Sequence, residues 1–104
     1  MKVMAIAQNT SGTQPGEEDV ALILQGLREF KQDSRTEEVY TFAGLWAGAV
    51  ICNVDSAEEL DQYLELNSVS KFIEWELHNV STLDERINTL EVLQKHRPAK
   101  RKAA

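Results

Sequence analysis

The chain has few of the features that mark secreted, membrane-bound or nucleic-acid-binding proteins. It contains one cysteine, Cys52, among 104 residues, so no disulfide can form within one copy, and a reducing compartment is expected. No apolar run approaches the roughly 20 residues that cross a bilayer. Lys and Arg number 11 against 17 Asp and Glu, and the net charge of -6 disfavours binding to nucleic acid or anionic lipid. We therefore expect a cytoplasmic protein with neither a nucleic-acid nor a membrane partner.

The overall composition is that of a small globular protein. Hydrophobic residues make up 42% and charged residues 27% of the chain, as in ordinary soluble domains. A chain of this length forms one domain and buries about two thirds of its unfolded surface, which suffices for a core without disulfides or metals. We expect a single domain over residues 1–98, ended by a helix that stops at Pro98, and a basic tail over residues 99–104.

The spacing of apolar residues predicts the element order β-α-β-β-α-β-α. Alternating patterns predict strands over residues 2–8, 37–43, 45–54 and 71–80. Helical spacing predicts helices over residues 17–32, from Ser56 onward, and from Thr82 to Pro98. The second and third helices each begin with a capping-box sequence, Ser or Thr followed three residues later by Glu. This order predicts an α+β, ferredoxin-like βαββαβ sandwich with an added C-terminal helix.

The predicted strands are too apolar for a sheet with one face in water. Successive strand residues point to opposite faces, so Val3, Ala5 and Ala7 share one face of the first strand while Met4 and Ile6 share the other. Two helices cover one face only, and an uncovered apolar face marks a binding surface. A second copy of the same sheet is the simplest cover, which predicts a homodimer assembled as a dimeric α+β barrel. Alternatively, the third helix folds back over this face of its own sheet.

The fourth predicted strand carries the best polar constellation of the chain. Glu74, Glu76 and His78 project from one strand face about 7 Å apart. Two carboxylates and an imidazole can form an acid–base set, which makes these three the candidate catalytic residues. The alternative is the charged face of an edge strand that meets water. A lone histidine without a nearby cysteine or second histidine does not predict a metal site, and no cofactor motif such as a phosphate loop occurs.

Aromatic residues supply the candidate ligand-binding set. Tyr40, Trp46 and Trp75, together with Thr41, are predicted to line an apolar pocket for a small organic molecule. Large aromatic residues on strands also pack in protein cores, and that is the alternative. Cys52 lies among apolar strand residues and is expected to be a buried, inert thiol.

Residues 40–80 carry a pattern that resembles a known family. An aromatic residue precedes an Ala-Gly pair, Ser-x-Glu-x-Leu begins the second helix, and the last strand alternates acidic and apolar residues. The residues of this pattern are Tyr40, Ala43, Gly44, Ser56, Glu58, Leu60, Leu64, Glu74, Glu76 and Leu77. The pattern, which runs without gaps, resembles the muconolactone isomerase family. The resemblance implies a dimeric α+β barrel and cofactor-independent chemistry, of isomerase or monooxygenase type, on a small cyclic or aromatic metabolite.

The departures from that family bear on activity. The family places a basic residue, a histidine and an asparagine around the Ala-Gly turn, where this chain has Thr41, Leu45 and Gly48. These residues supply neither a base nor a cation for an enolate-like charge. Two functions therefore stay open. One is an enzyme in which Glu74 or Glu76 is the base and His78 the proton donor. The other is a non-catalytic ligand-binding or assembly module of the same fold.

Overall fold

A computed structural model of the chain describes residues 1–9 and 15–96. Within them the predicted order β-α-β-β-α-β-α is confirmed. The strands are β1 (Lys2–Asn9), β2 (Thr36–Thr41), β3 (Gly48–Asn53) and β4 (Ile73–Asn79). The helices are α1 (Glu17–Gln32), α2 (Ala57–Glu65) and α3 (Leu83–His96), and a 3-10 turn, Ser70–Phe72, precedes β4. The predicted helix end at Pro98 and the predicted tail lie outside the described residues.

The four strands form one antiparallel sheet in the order β2-β3-β1-β4. The first strand is therefore central, with Ala5 opposite Val50 of β3 on one side and Leu77 of β4 on the other. Consecutive hairpin strands β2 and β3 pair directly, while β4 returns across the sheet to the free edge of β1. This is the ferredoxin-like arrangement, so the α+β fold with an added C-terminal helix is confirmed.

The first helix spans the residues that the sequence predicts. Acidic residues in its first turn interact favourably with the helix dipole. The carboxylate of one of them, Asp19, accepts a hydrogen bond from the Gly16 N–H at 3.3 Å. Ile23 and Leu27 are half-buried and Phe30 is buried, so this side of α1 faces the sheet. Val20 and Leu24 have the same helical spacing as these residues but stay exposed.

A glycine lets α1 approach the segment that leads into β4. The Asn67 side chain donates a hydrogen bond to the Gly26 carbonyl at 3.0 Å and accepts one from the Val69 N–H at 2.9 Å. A Cβ atom at Gly26 would lie 2.5 Å from Asn67 Oδ1 and 2.9 Å from the Val69 nitrogen, and closer still to Val69 Cγ1. Only glycine fits this contact, which explains a residue that otherwise weakens a helix.

The second helix begins as its capping box predicts. Ser56 Oγ accepts a hydrogen bond from the Glu59 N–H at 3.1 Å, and the Glu59 carboxylate accepts one from the Asp55 N–H at 2.6 Å. Its buried side, which packs into the core, consists of three residues at helical spacing: Leu60, Tyr63 and Leu64.

The core lies between these two helices and one face of the sheet. Val3 and Cys52 are fully buried there, and burial raises the pKa of the Cys52 thiol, which confirms the expected core position. Three aromatic rings join the helices to β4. Phe30 lies 5.2 Å from Tyr63 and 5.9 Å from Trp75, the latter edge-on. Such geometry adds about 0.5–1.5 kcal/mol per pair beyond area burial.

The turn between β2 and β3 is longer than predicted. The Phe42 N–H donates to the Ala47 carbonyl at 3.0 Å, and the Leu45 N–H donates to the Phe42 carbonyl at 3.0 Å. Gly44 has a φ of 77°, which suits glycine. The predicted start of the third strand at residue 45 and end of the second at residue 43 are therefore wrong. Apolar residues in the turn imitate strand alternation while their backbone closes a hairpin.

The second sheet face and α3 have no cover within the described chain. Met4, Ile6 and Ile51 are only half-buried on that face, which we call the open face. Every residue of α3 is exposed, so the alternative in which this helix folds back over its own sheet is wrong. Thr82 Oγ1 accepts a hydrogen bond from the Glu85 N–H at 3.1 Å, so the helix is capped as predicted. The radius of gyration is 18.4 Å, against roughly 13 Å for a compact chain of 100 residues.

Candidate functional site

An open cavity of about 550 Å³ lies between α1 and the helix-covered face of the sheet. Its walls are α1, the β2–β3 turn, the ends of β1 and β4, and the 3-10 turn. The chain has three Phe, two Trp and two Tyr, and all of them except Tyr63 line the cavity. The aromatic residues of the chain are thus gathered around one space.

The four predicted ligand-binding residues all contribute to this lining: Tyr40, Thr41, Trp46 and Trp75. Trp46 reaches the cavity from the β2–β3 turn and Trp75 from β4. Tyr40 pairs with Ala49, a position on the open face, and its hydrogen bond to Glu38 raises the pKa of the phenol. The hydroxyl of Tyr40 is therefore engaged with Glu38.

Trp75 has the most unusual polar atom of the site. Its indole packs edge-on against Phe30 and forms part of the cavity wall. Its Nε1 is buried and has no hydrogen-bond partner among the residues that the structure describes. An unmet buried donor costs about 1–3 kcal/mol, so it calls for an explanation.

Charged side chains are sparse around the cavity. Asp19 lines it, but its carboxylate caps the start of α1 through Gly16. Lys71 also lines it, is exposed, and holds its ammonium 5.0 Å from the centre of the Phe72 ring. The arrangement suits the binding of an apolar body more than the transfer of a proton.

The candidate catalytic residues Glu74, Glu76 and His78 share one face of β4, but it is the open face. Glu76 lies opposite Ile6 in the register, whereas the cavity residue Trp75 lies opposite Ala7. His78 Nε2 is 3.1 Å from Glu76 Oε2, and these side chains are 52% and 60% exposed. The structure therefore brings the three together at the edge of the sheet and separates them from the cavity. Within residues 1–9 and 15–96, no cluster of three His, Cys, Asp or Glu side chains is placed to hold a metal ion.

The sequence does not predict several residues of the cavity wall as ligand-binding residues. Ile23, Leu27 and Phe30 form the cavity side of α1, and their helical spacing predicts burial without distinguishing a core from a cavity wall. Leu45 and Phe72 come from turns. No periodic pattern marks a turn residue, so the sequence holds no signal for these two.

An ion pair behind the cavity holds the connection from α1 to β2. Arg35 binds the Asp33 carboxylate through two hydrogen bonds, at 2.9 and 2.7 Å, which lower the pKa of Asp33. The same guanidinium lies 5.0 Å from the centre of the Tyr63 ring. Burial raises the pKa of Tyr63 to about 12, and its hydroxyl is hydrogen-bonded to Thr36. This cluster is structural, since it links the end of α1 to β2 and to Tyr63 of α2.

No protein-family model matches the chain, and no curated protein matches it significantly. The resemblance to the muconolactone isomerase family therefore stays a prediction. None of the described helices combines the length and apolar character required to span a bilayer.

Proposed function

We propose that the protein is a cytoplasmic homodimer that binds a small, largely apolar organic molecule in the aromatic-lined cavity. The observation that carries the proposal is the gathering of aromatic residues, among them Phe30, Trp46 and Trp75, around one space of about 550 Å³. Sites for small ligands have volumes of about 300–1,000 Å³ and mostly apolar walls with a few polar groups. A cyclic or aromatic molecule fits walls of this composition.

The distribution of charge favours binding over catalysis. A cofactor-independent isomerase or monooxygenase on this scaffold requires a base within hydrogen-bond reach of the bound molecule. Glu74, Glu76 and His78 lie on the opposite sheet face, and Asp19 is occupied at the helix start. The non-catalytic ligand-binding module is therefore the better supported of the two functions.

A thermal-shift screen with cyclic and aromatic compounds tests the binding proposal. Ligands that fill the cavity should raise the melting temperature, because they bind the folded state only. The variant Ala7→Phe adds a ring to the cavity wall and should abolish these shifts. Ile6→Phe adds the same ring to the open face of the same strand and should leave the ligand shifts intact. The proposal fails if no compound stabilises the protein, or if both variants respond alike.

The homodimer rests on two uncovered apolar surfaces. The open face exposes part of Met4, Ile6 and Ile51, and α3 exposes an apolar stripe along its first half. The stripe consists of Leu83, Ile87 and Leu90, which are 75%, 42% and 46% exposed. These residues are three or four positions apart, so they lie on one side of α3.

A second copy of the chain offers a partner for both surfaces at once. Two open faces stacked about a two-fold axis bury the same residues from each copy. The third helix follows the edge strand β4 and is exposed along its length, so its apolar stripe is free to pack against such a partner. The high radius of gyration of the single chain agrees with a helix that finds its contacts on another subunit.

Light scattering coupled to size exclusion tests the homodimer. The 11.7 kDa chain should elute with twice that mass or more at micromolar concentration. Ile6→Lys on the open face and Leu90→Glu on the α3 stripe should each weaken assembly. Val92→Glu changes an exposed residue on the opposite side of α3 and should not. A monomeric wild type would overturn the homodimer without affecting the cavity proposal.

A further inference from the structure

We propose that the cavity selects neutral aromatic molecules that carry a carbonyl-type oxygen, and that Trp75 Nε1 is the donor that recognises this oxygen. The inference rests on the proposed binding function and adds the chemical class of the ligand. Its basis is one atom, the buried indole N–H that lacks an acceptor in a residue of the cavity wall.

Because the indole nitrogen is buried, a hydrogen-bond acceptor on the ligand should strengthen binding. Tryptophan donates through this single N–H and accepts nothing, so a buried indole usually has one partner. Here no acceptor is found among the described residues, and burial keeps bulk water from replacing it. Nε1 has almost no accessible surface even toward the cavity, so the proposal includes a rotation of the indole, which belongs to the cavity wall, that turns Nε1 toward the bound oxygen. A ligand with such an oxygen satisfies the donor, whereas a hydrocarbon of the same shape leaves it unmet.

The charged side chains among the described lining residues indicate the charge of the ligand. A carboxylate transferred into an apolar site needs an opposite charge or several donors to offset its lost hydration. Of the charged lining residues, Lys71 is exposed and lies against Phe72, and Asp19 is itself an anion. A single neutral N–H suits a neutral carbonyl oxygen, so aromatic ketones or related carbonyl compounds fit better than aromatic acids.

A matched pair of ligands isolates the predicted hydrogen bond. 1-Indanone and indane have the same fused rings and differ by one carbonyl oxygen. Calorimetric or fluorescence titration of the full-length protein should give a dissociation constant about tenfold lower for 1-indanone. The variant Trp75→Phe should reduce this ratio to near one. The variant Trp46→Phe removes the other lining tryptophan, so it should change the affinity for both ligands alike and leave their ratio unchanged.

The two indole N–H signals in a nitrogen-15 correlation spectrum give a readout that needs no stable Trp75 variant. The chain has two tryptophans, so Trp46→Phe assigns both signals. 1-Indanone should move the Trp75 signal in the direction of a new hydrogen bond, and indane should not. Equal affinity for the two ligands, or an unmoved Trp75 signal on 1-indanone binding, overturns the inference while the binding function stands. Absence of binding by either ligand and by the wider screen overturns the binding function itself.

Discussion

The substitution Gly26→Ala distinguishes the effect of packing from that of helix propensity, because the two change the free energy of unfolding in opposite directions. In the interior of an exposed helix, replacing glycine by alanine stabilises by about 1 kcal/mol. In α1 the new methyl group would meet Asn67 Oδ1 at 2.5 Å and the Val69 nitrogen at 2.9 Å. Overpacking of this kind typically costs about 1–3 kcal/mol. Displacing Asn67 also strains its hydrogen bonds to Gly26 and Val69, each with a net value of about 0.5–1.5 kcal/mol.

We therefore expect Gly26→Ala to lower the free energy of unfolding by about 1–3 kcal/mol after the propensity gain is subtracted. Urea denaturation followed by circular dichroism measures this, and the melting temperature should fall by about 4–8 °C per kcal/mol. The control Ala21→Gly lies at an exposed position of the same helix and should lose only about 1 kcal/mol. If Gly26→Ala proves more stable than the wild type, the close contact between α1 and Asn67 is wrong.

Three further predictions test other parts of the molecule. Burial raises the pKa of Tyr63 from its ordinary value of 10.0 to about 12, so the neutral phenol is favoured in the folded state. That stability is complete below pH 10 and falls by about 2–3 kcal/mol as the pH rises toward 12. Tyr63→Phe should flatten this decline in urea denaturations at pH 8 and pH 11.5; an identical decline would contradict the burial of the phenol. Truncation after Ser81 removes a helix that is wholly exposed on its own subunit. It should therefore lower the mass in light scattering while the melting temperature of the dilute monomer stays unchanged, and a truncated protein that still dimerises would exclude α3 from the interface. Finally, the purified protein should not isomerise muconolactone in an ultraviolet assay, because Thr41 and Leu45 replace polar groups at the turn; turnover near ~10 s⁻¹, an ordinary enzyme rate, would show that other residues supply the chemistry.

Elements with a periodic pattern could be predicted from the sequence, and the connections between them could not. The first helix matches its predicted bounds because acidic residues in its first turn and a regular apolar stripe mark it. The sequence predicts a tight turn at Gly44 alone and assigns its neighbours to strands, because Leu45, Trp46 and Ala47 continue an apolar run. Backbone hydrogen bonds, which close the hairpin, leave no signal in residue type.

Long-range contacts limited the prediction of the site. Residue type alone predicts Trp46 and Trp75 as ligand-binding residues, and the structure brings both to the cavity wall. The strand predicted over residues 71–80 places Phe72 on the same face as Glu74, whereas Phe72 lies in the 3-10 turn before β4 and lines the cavity. The close approach of Asn67 to Gly26 joins residues 41 positions apart in the sequence and cannot follow from local periodicity.

The sequence can also predict which face of β4 the helices cover, if the apolar content of its two faces is compared. Alternation places Trp75 on one face of β4 and Glu74 and Glu76 on the other, but leaves open which face the helices cover. The more apolar set must face the helices, because buried carboxylates without partners are costly. Trp75 then belongs to the helix-covered interior, where the cavity forms, and the carboxylates belong to the open face. The two candidate sets therefore exclude each other as parts of one active site, and the position of the cavity favours the aromatic set.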